Sequence, residues 1–172
     1  MAPLRMKKVL ILTAGFGEGH NTAARNIRAA LQDVAGEEVD AQVLDLLEQT
    51  FGRVNELFRR AYIATINHAP HLWEKIYAML DNGTALQDNL QLLAPLGETM
   101  KRLLEEQQPY AIVSTYPLYN YFLDQLYAEK PRPFSQITVI TDSISINSIW
   151  YRCYSDALLV ANDDTARVLQ EA

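Results

Sequence analysis

Residues 7–46 read KKVLILTAGFGEGHNTAARNIRAALQDVAGEEVDAQVLDL, and three patterns follow one another along them. Lys7–Thr13 is a short apolar run rich in β-formers, which predicts a buried strand. Ala14–His20 is a glycine-rich break. From there Ala23, Ala24, Ile27, Ala30, Leu31 and Val34 recur at helical spacing up to Gly36, a natural helix stop. Val39–Leu46 then alternates and predicts a second strand. A strand, a glycine loop, a helix and a strand in this order form a unit that feeds a parallel sheet through a right-handed crossover.

Outward from this unit the middle of the chain is helical. Phe51, Val54, Phe58, Ala61 and Thr65 mark one helical face, ending near Pro70. Leu72, Trp73, Ile76, Tyr77 and Leu80 mark a second, ending at Asn82-Gly83. Leu86, Leu90, Leu93, Met100 and Leu104 mark a third, with Pro95 as a kink point. Strand–helix alternation then resumes. Strands are predicted at Tyr110–Thr115, Gln136–Thr141 and Asp156–Ala161, and helices over Leu118–Ala128 and from Asp163 onward. The fold class is therefore α/β: one Rossmann-like domain over residues 1–172, with an open, mostly parallel sheet and a helical insertion after the second strand. Ligands of such sheets bind beyond the carboxyl ends of the strands. That places Ala14–His20, Thr115–Pro117 and Asp142–Trp150 at the ligand edge.

Composition narrows the function. The 172 residues are 49% hydrophobic and 21% charged, which is ordinary globular composition. The net charge of −6 argues against a general nucleic-acid binder. A single cysteine, Cys153, excludes an intrachain disulfide, and His20, His68 and His71 are too scattered for zinc. The apolar run Val9–Ala14 is too short for an export signal, and no run of about 20 apolar residues exists to span a membrane. The expected setting is cytoplasmic.

The glycine segment carries the chemistry. Gly15, Gly17 and Gly19 leave room for backbone N–H groups to approach a phosphate, and the helix start adds partial positive charge. Glu18 and Asn21 complete this candidate anion loop. The spacing is neither the dinucleotide fingerprint nor a P-loop, and a plain tight strand-to-helix turn is the structural alternative. His20 at the helix start adds a group able to donate to a phosphate or move a proton. Asp142, just past the fourth strand and beside an Ile- and Trp-rich segment, is the first candidate for a general base, with His20 the second. A turn or cap carboxylate is the structural alternative for Asp142.

The run LTAGFGEGHNTAARNIRAAL (12–31) resembles the opening of the monogalactosyldiacylglycerol synthase and processive diacylglycerol glucosyltransferase family. Further segments match in order: Asp40–Leu46 with its acidic Asp45, IVSTYPL at Ile112–Leu118, and VITDSISINSIW at Val139–Trp150. The resemblance implies an inverting glycosyltransferase of the GT-B class, whose chemistry is typically metal-independent and needs no cofactor. It implies transfer of a hexose from a UDP-sugar to diacylglycerol at the inner face of a membrane, on an anionic lipid surface. Thr115, Tyr116, Pro117, Asn147 and Trp150 would line the acceptor side. Two positions depart from the pattern: Asn147 and Tyr116 stand where members often carry His. The resemblance covers only the N-terminal, acceptor-side domain. It implies that a C-terminal donor-binding domain lies outside these residues and that the chain alone is incomplete, with a surface open to self-association.

The helical insertion Thr50–Asn82, with Phe51, Phe58, Tyr62, Trp73 and Tyr77 and flanking Arg53, Arg59, Arg60 and Lys75, suits the lipid side. A core-packing helix pair is the alternative. Two other readings of the whole chain stay open: a non-catalytic remnant that binds lipid or a partner, and a small Rossmann-type phosphate- or nucleotide-binding protein.

Overall fold

The structure, a computed structural model, describes residues 6–69, 71, 72, 74, 75, 78, 85–142 and 146–171. Trp73, Ile76, Tyr77 and Leu80 of the second predicted helical face lie outside them, whereas Leu72 is helical. Five strands form one parallel sheet: β1 (Lys7–Thr13), β2 (Val39–Asp45), β3 (Ala111–Ser114), β4 (Ser135–Val139) and β5 (Ala157–Leu159), in the order β2-β1-β3-β4-β5. The strand order reverses direction at β1, between β2 and β3, and such a switch point opens a crevice at the carboxyl edge. The sequence reading of an α/β parallel sheet is thus realised. The observed strands end earlier than expected: Thr115 and Thr141 lie beyond β3 and β4, in the loops at that edge.

Alternation along β1 divides the core. Val9 and Ile11 face one side, where Ala24, Ile27 and Leu31 of α1 (Glu18–Ala35) pack with Ala111 and Val113. Leu10 and Leu12 face the other, against Leu96, Met100 and Leu104 of the long helix before β3 and Tyr119, Phe122 and Leu123 of the helix after it. Central strands of a parallel sheet are buried on both faces, which is why Val9–Leu12 of β1 are apolar without a break.

The insertion between β2 and β3 holds α2 (Leu46–Phe51), α3 (Arg53–His68), α4 (Ala85–Asp88) and α5 (Ala94–Gln107). Pro95 does not kink a helix; it sits in the first turn of α5, where its missing N–H costs nothing. Gly97 lets α5 approach α6 (Leu118–Leu126), because a Cβ there would lie 3.3 Å from the Phe122 ring. α7 (Asp163–Glu171) follows β5. Gly52 has φ +49°, a left-handed-side conformation that lets α2 stop and α3 begin at once in a new direction.

Asp45, the last residue of β2, ties this insertion to the glycine segment. Its Oδ1 accepts the Glu48 N–H at 2.9 Å, capping α2, and its Oδ2 accepts the Gly15 N–H at 2.8 Å. Nearby, the buried Tyr119 hydroxyl donates to the Thr13 carbonyl at 2.8 Å and accepts from the Leu47 N–H at 3.4 Å. Together these bonds fix the end of β1 against the start of α2. Asp45→Ala is expected to lower unfolding free energy by about 1–2 kcal/mol, the scale of a lost helix cap, while Asp45→Asn, which keeps an acceptor, loses less. Urea unfolding of the two variants checks the order; equal losses would show that the acceptor is not what matters.

Candidate active site

α1 starts at Glu18, so His20 belongs to its first turn rather than to the preceding loop. The helix carries the imidazole over the ends of β3 and β4. His20 Nδ1 lies 2.8 Å from the Thr115 carbonyl oxygen and 2.9 Å from Thr141 Oγ1. A carbonyl can only accept, so Nδ1 carries the proton. In the neutral ring Nε2 is then left with its lone pair.

Aromatic rings enclose this imidazole. Tyr116 meets it edge-on at 5.1 Å between ring centroids, and Trp150 lies tilted at 5.9 Å. Phe16 stacks on Tyr116 and meets Tyr62 of α3 edge-on at 5.5 Å. Burial pushes the His20 imidazole below the ordinary value of 6.5; the bond to Thr115 and the charge of Asp142 oppose this only in part. The same burial pushes the Tyr116 and Tyr62 phenols up. Asp142 accepts the Trp150 Nε1–H on Oδ2 at 2.8 Å. Trp150 is 2% exposed, so it is core filler and orients the carboxylate at once.

The structure therefore gathers His20, Asp142, Thr115, Tyr116 and Trp150 at one place, with Thr141 and Tyr62 added. Neither addition follows from local sequence. Thr141 reads as the last residue of a strand, and Tyr62 as one aromatic among several in a helix. Other expected residues sit differently. Gly15 does not offer its N–H to an anion, because Asp45 already holds it. Glu18 is exposed and pairs with Arg25 at 3.3 Å, so it faces outward from the cluster. Asn21 accepts from Thr13 Oγ1 at 3.0 Å. Asn147 is buried and caps the short 3-10 turn Ser148–Trp150 through the Ile149 N–H at 3.1 Å, so it shapes the loop rather than lining an open groove. Pro117 is buried at the start of α6.

Gly17 and Gly19 behave differently from Gly15. Neither has positive φ, and an added Cβ would meet only His20 Cδ2 at 3.8 Å at Gly17 and nothing within 4 Å at Gly19. The fold does not need glycine at either position, and their bare backbone leaves the first turn of α1 open beside His20.

Comparisons with known proteins give the family of the chain. The family model described as monogalactosyldiacylglycerol (MGDG) synthase matches residues 20–172. The chain belongs to this family. It is 29% identical over 177 residues to the chloroplastic monogalactosyldiacylglycerol synthase of Spinacia oleracea, an alignment covering 98% of this chain and 34% of the relative. It is 30% identical to monogalactosyldiacylglycerol synthase 1 of Arabidopsis thaliana, over 91% of this chain and 31% of the relative. A processive diacylglycerol beta-glucosyltransferase of Bacillus cytotoxicus is 24% identical over 98% of this chain and 42% of its own length. The chain thus spans roughly a third to two-fifths of these relatives.

The depressed His20 value has a sign that can be tested. The unfolded chain binds the proton at a higher pH than the folded one, so His20 contributes stability above pH 6.5. That stability is lost as the pH falls from there through the folded value. Nitrogen-detected NMR of the imidazole is expected to show a pKa below 6.5 and the Nδ1–H tautomer. An Nε2–H tautomer would refute the proton assignment.

Proposed function

We propose that these residues form the acceptor-side domain of an inverting glycosyltransferase that moves a hexose from a UDP-sugar to diacylglycerol. The observation that carries this reading is the half-buried His20, held by Nδ1 with Nε2 left as an acceptor. A neutral imidazole so held at neutral pH is a general base. In the proposed step His20 Nε2 takes the proton of the acceptor hydroxyl. The hydroxyl oxygen attacks the anomeric carbon as the bond to the diphosphate breaks, and the imidazolium is stabilised by the nearby negative charge of Asp142. Geometry favours His20 over Asp142 as the base, because Asp142 already accepts the Trp150 indole N–H. The open turn at Gly17 and Gly19 suits the negative charge that develops on the leaving group. The donor would be held mainly by a second domain outside residues 1–172.

α3 supports a lipid-facing role. Its inward face is polar, with Asn55, Arg59 and Tyr62, whereas the apolar face read from the sequence is turned outward. Leu57 is 69% exposed and Phe58 63% exposed, and Val54, Ile63 and Ile66 extend the apolar surface. Arg53 and Arg60 stand exposed beside it. An apolar helix face flanked by cations suits a surface lying in the boundary of an anionic bilayer. No helix among the described residues is long and apolar enough to cross a membrane, so attachment through this helix would be peripheral.

Two measurements test the reading. Sedimentation with vesicles of anionic phospholipid and diacylglycerol should pellet the chain, and the Leu57→Glu, Phe58→Glu double variant should stay in the supernatant. Equal pelleting of both would remove α3 from the lipid surface. In the complete polypeptide, His20→Ala should cut hexose transfer about 10²- to 10⁴-fold, the usual contribution of a general base. Retention of full activity would exclude His20 as the base.

A further inference from the structure

Two oxygens share one ring nitrogen at the site. His20 Nδ1 lies 2.8 Å from the Thr115 carbonyl oxygen and 2.9 Å from Thr141 Oγ1. Nδ1 carries one hydrogen, and a single N–H can be divided between two acceptors. A backbone carbonyl is present whatever residue stands at 115, whereas the hydroxyl depends on Thr141. Both acceptors are held from outside the ring. Thr115 is fully buried, and its N–H and its hydroxyl donate to the Leu12 carbonyl at 2.9 and 3.2 Å. Thr141 lies past the end of β4, yet its neighbours on both sides are pinned. The Ile140 N–H donates to the Leu159 carbonyl at 2.8 Å, and the Asp142 carboxylate accepts the Trp150 indole N–H at 2.8 Å. A β-branched side chain on a fixed backbone has few rotamers open to it, so Oγ1 is aimed at little entropic cost.

Acceptors on Nδ1 act on the other nitrogen. When Nε2 takes a proton, the charge spreads over the ring, and the bonds from Nδ1–H become charge-assisted, roughly twice as strong as neutral ones. Each acceptor therefore raises the affinity of Nε2 for a proton, against the burial that lowers it. The charged and titratable groups around the ring leave this work to neutral oxygens. Asp142 acts through space, with its Oδ2 on the indole. Burial pushes the Tyr116 and Tyr62 phenols up, so both are neutral. On α1 itself, Glu18 is exposed and pairs with Arg25. Among the described residues, no carboxylate accepts the Nδ1–H.

We propose that Thr141 is a positioning residue for His20: its hydroxyl, with the Thr115 carbonyl, fixes the ring with Nε2 free and supports the imidazolium that forms there. The proposal deepens the transfer reaction described above. It rests on that reaction only for the source of the proton that Nε2 takes.

The hydrogen bond and the reaction are tested separately. In the ¹⁵N-labelled chain, NMR titration follows the His20 ring in the wild type and two variants. Thr141→Val keeps the shape and removes the acceptor; Thr141→Ser keeps the acceptor and loses the branch. The valine variant should hold a proton on Nε2 about three- to tenfold more weakly, the scale of one hydrogen bond. The serine variant should recover most of that loss. Thr141→Ala carries the same expectation as Thr141→Val and decides the matter should the valine variant fail to fold. In the complete polypeptide, Thr141→Val should lower kcat about tenfold with KM for diacylglycerol little changed. The acid limb of its kcat/KM profile should move to lower pH, because the weaker base stays unprotonated further down. An unchanged His20 titration in the folded valine or alanine variant would overturn the proposal, whatever happens to Tm, since the hydroxyl would then be structural only. A serine variant that titrates like the valine one would overturn it too. If the titration moves as expected while His20→Ala leaves transfer and its acid limb intact, His20 is not the base, and the hold of Thr141 on the ring stands.

Discussion

All five strands point the same way, and that constraint organises everything else in the molecule. A parallel sheet sends each strand's carboxyl end to one edge, so the loops that follow β1, β2, β3 and β4 emerge side by side. The segments supplying His20, Asp45, Thr115, Thr141 and Asp142 are far apart in the chain and meet only because of this shared direction. The bond from His20 to the Thr115 carbonyl spans 95 positions and needs no special loop to make it. It needs only β1 and β3 in register, with Leu12 opposite Ser114.

Around that edge the polar groups divide into two kinds of work. Asp45 and Tyr119 spend their hydrogen bonds on backbone groups of β1 and α2. They hold the floor still and have little left for a ligand. His20 and Asn21 are anchored on one side, through Nδ1 and Oδ1, and leave capacity on the other. Preorganisation of this type is what the proposed transfer would require, since reorganising dipoles during reaction would cost rate. The aromatic enclosure of His20 by Tyr116 and Trp150 adds to it by keeping water away from the imidazole.

The fold was largely legible because its signals are local. β1 begins and ends where the apolar run does, and Gly36 terminates α1 as its position after the last periodic residue implies. The position of His20 and Asp142 at the carboxyl edge of the sheet was legible too, since both follow strands. Their roles were not. The tautomer of His20 depends on a carbonyl from another strand, and the N–H of Gly15 is claimed by a carboxylate 30 residues away. Periodicity found the apolar stripe of α3 but left lipid and core packing open, because spacing does not say whether protein or some other apolar phase will cover it. Asn147 looked like a substitute for a histidine, whereas local geometry uses it to cap Ser148–Trp150.

α3 presents apolar side chains to the outside and Tyr62 with Arg59 to the interior. A helix with its side chains is about 10–12 Å across. If the outer side rests on a bilayer, the helix becomes a spacer of fixed thickness, and it sets the height above the lipid at which the imidazole waits. On the proposed reading, a diacylglycerol hydroxyl would have to rise by that height to react, which would lift the head of the molecule while its chains remain in hydrocarbon. Acceptor choice would then depend on how far a head group can climb as well as on what it looks like.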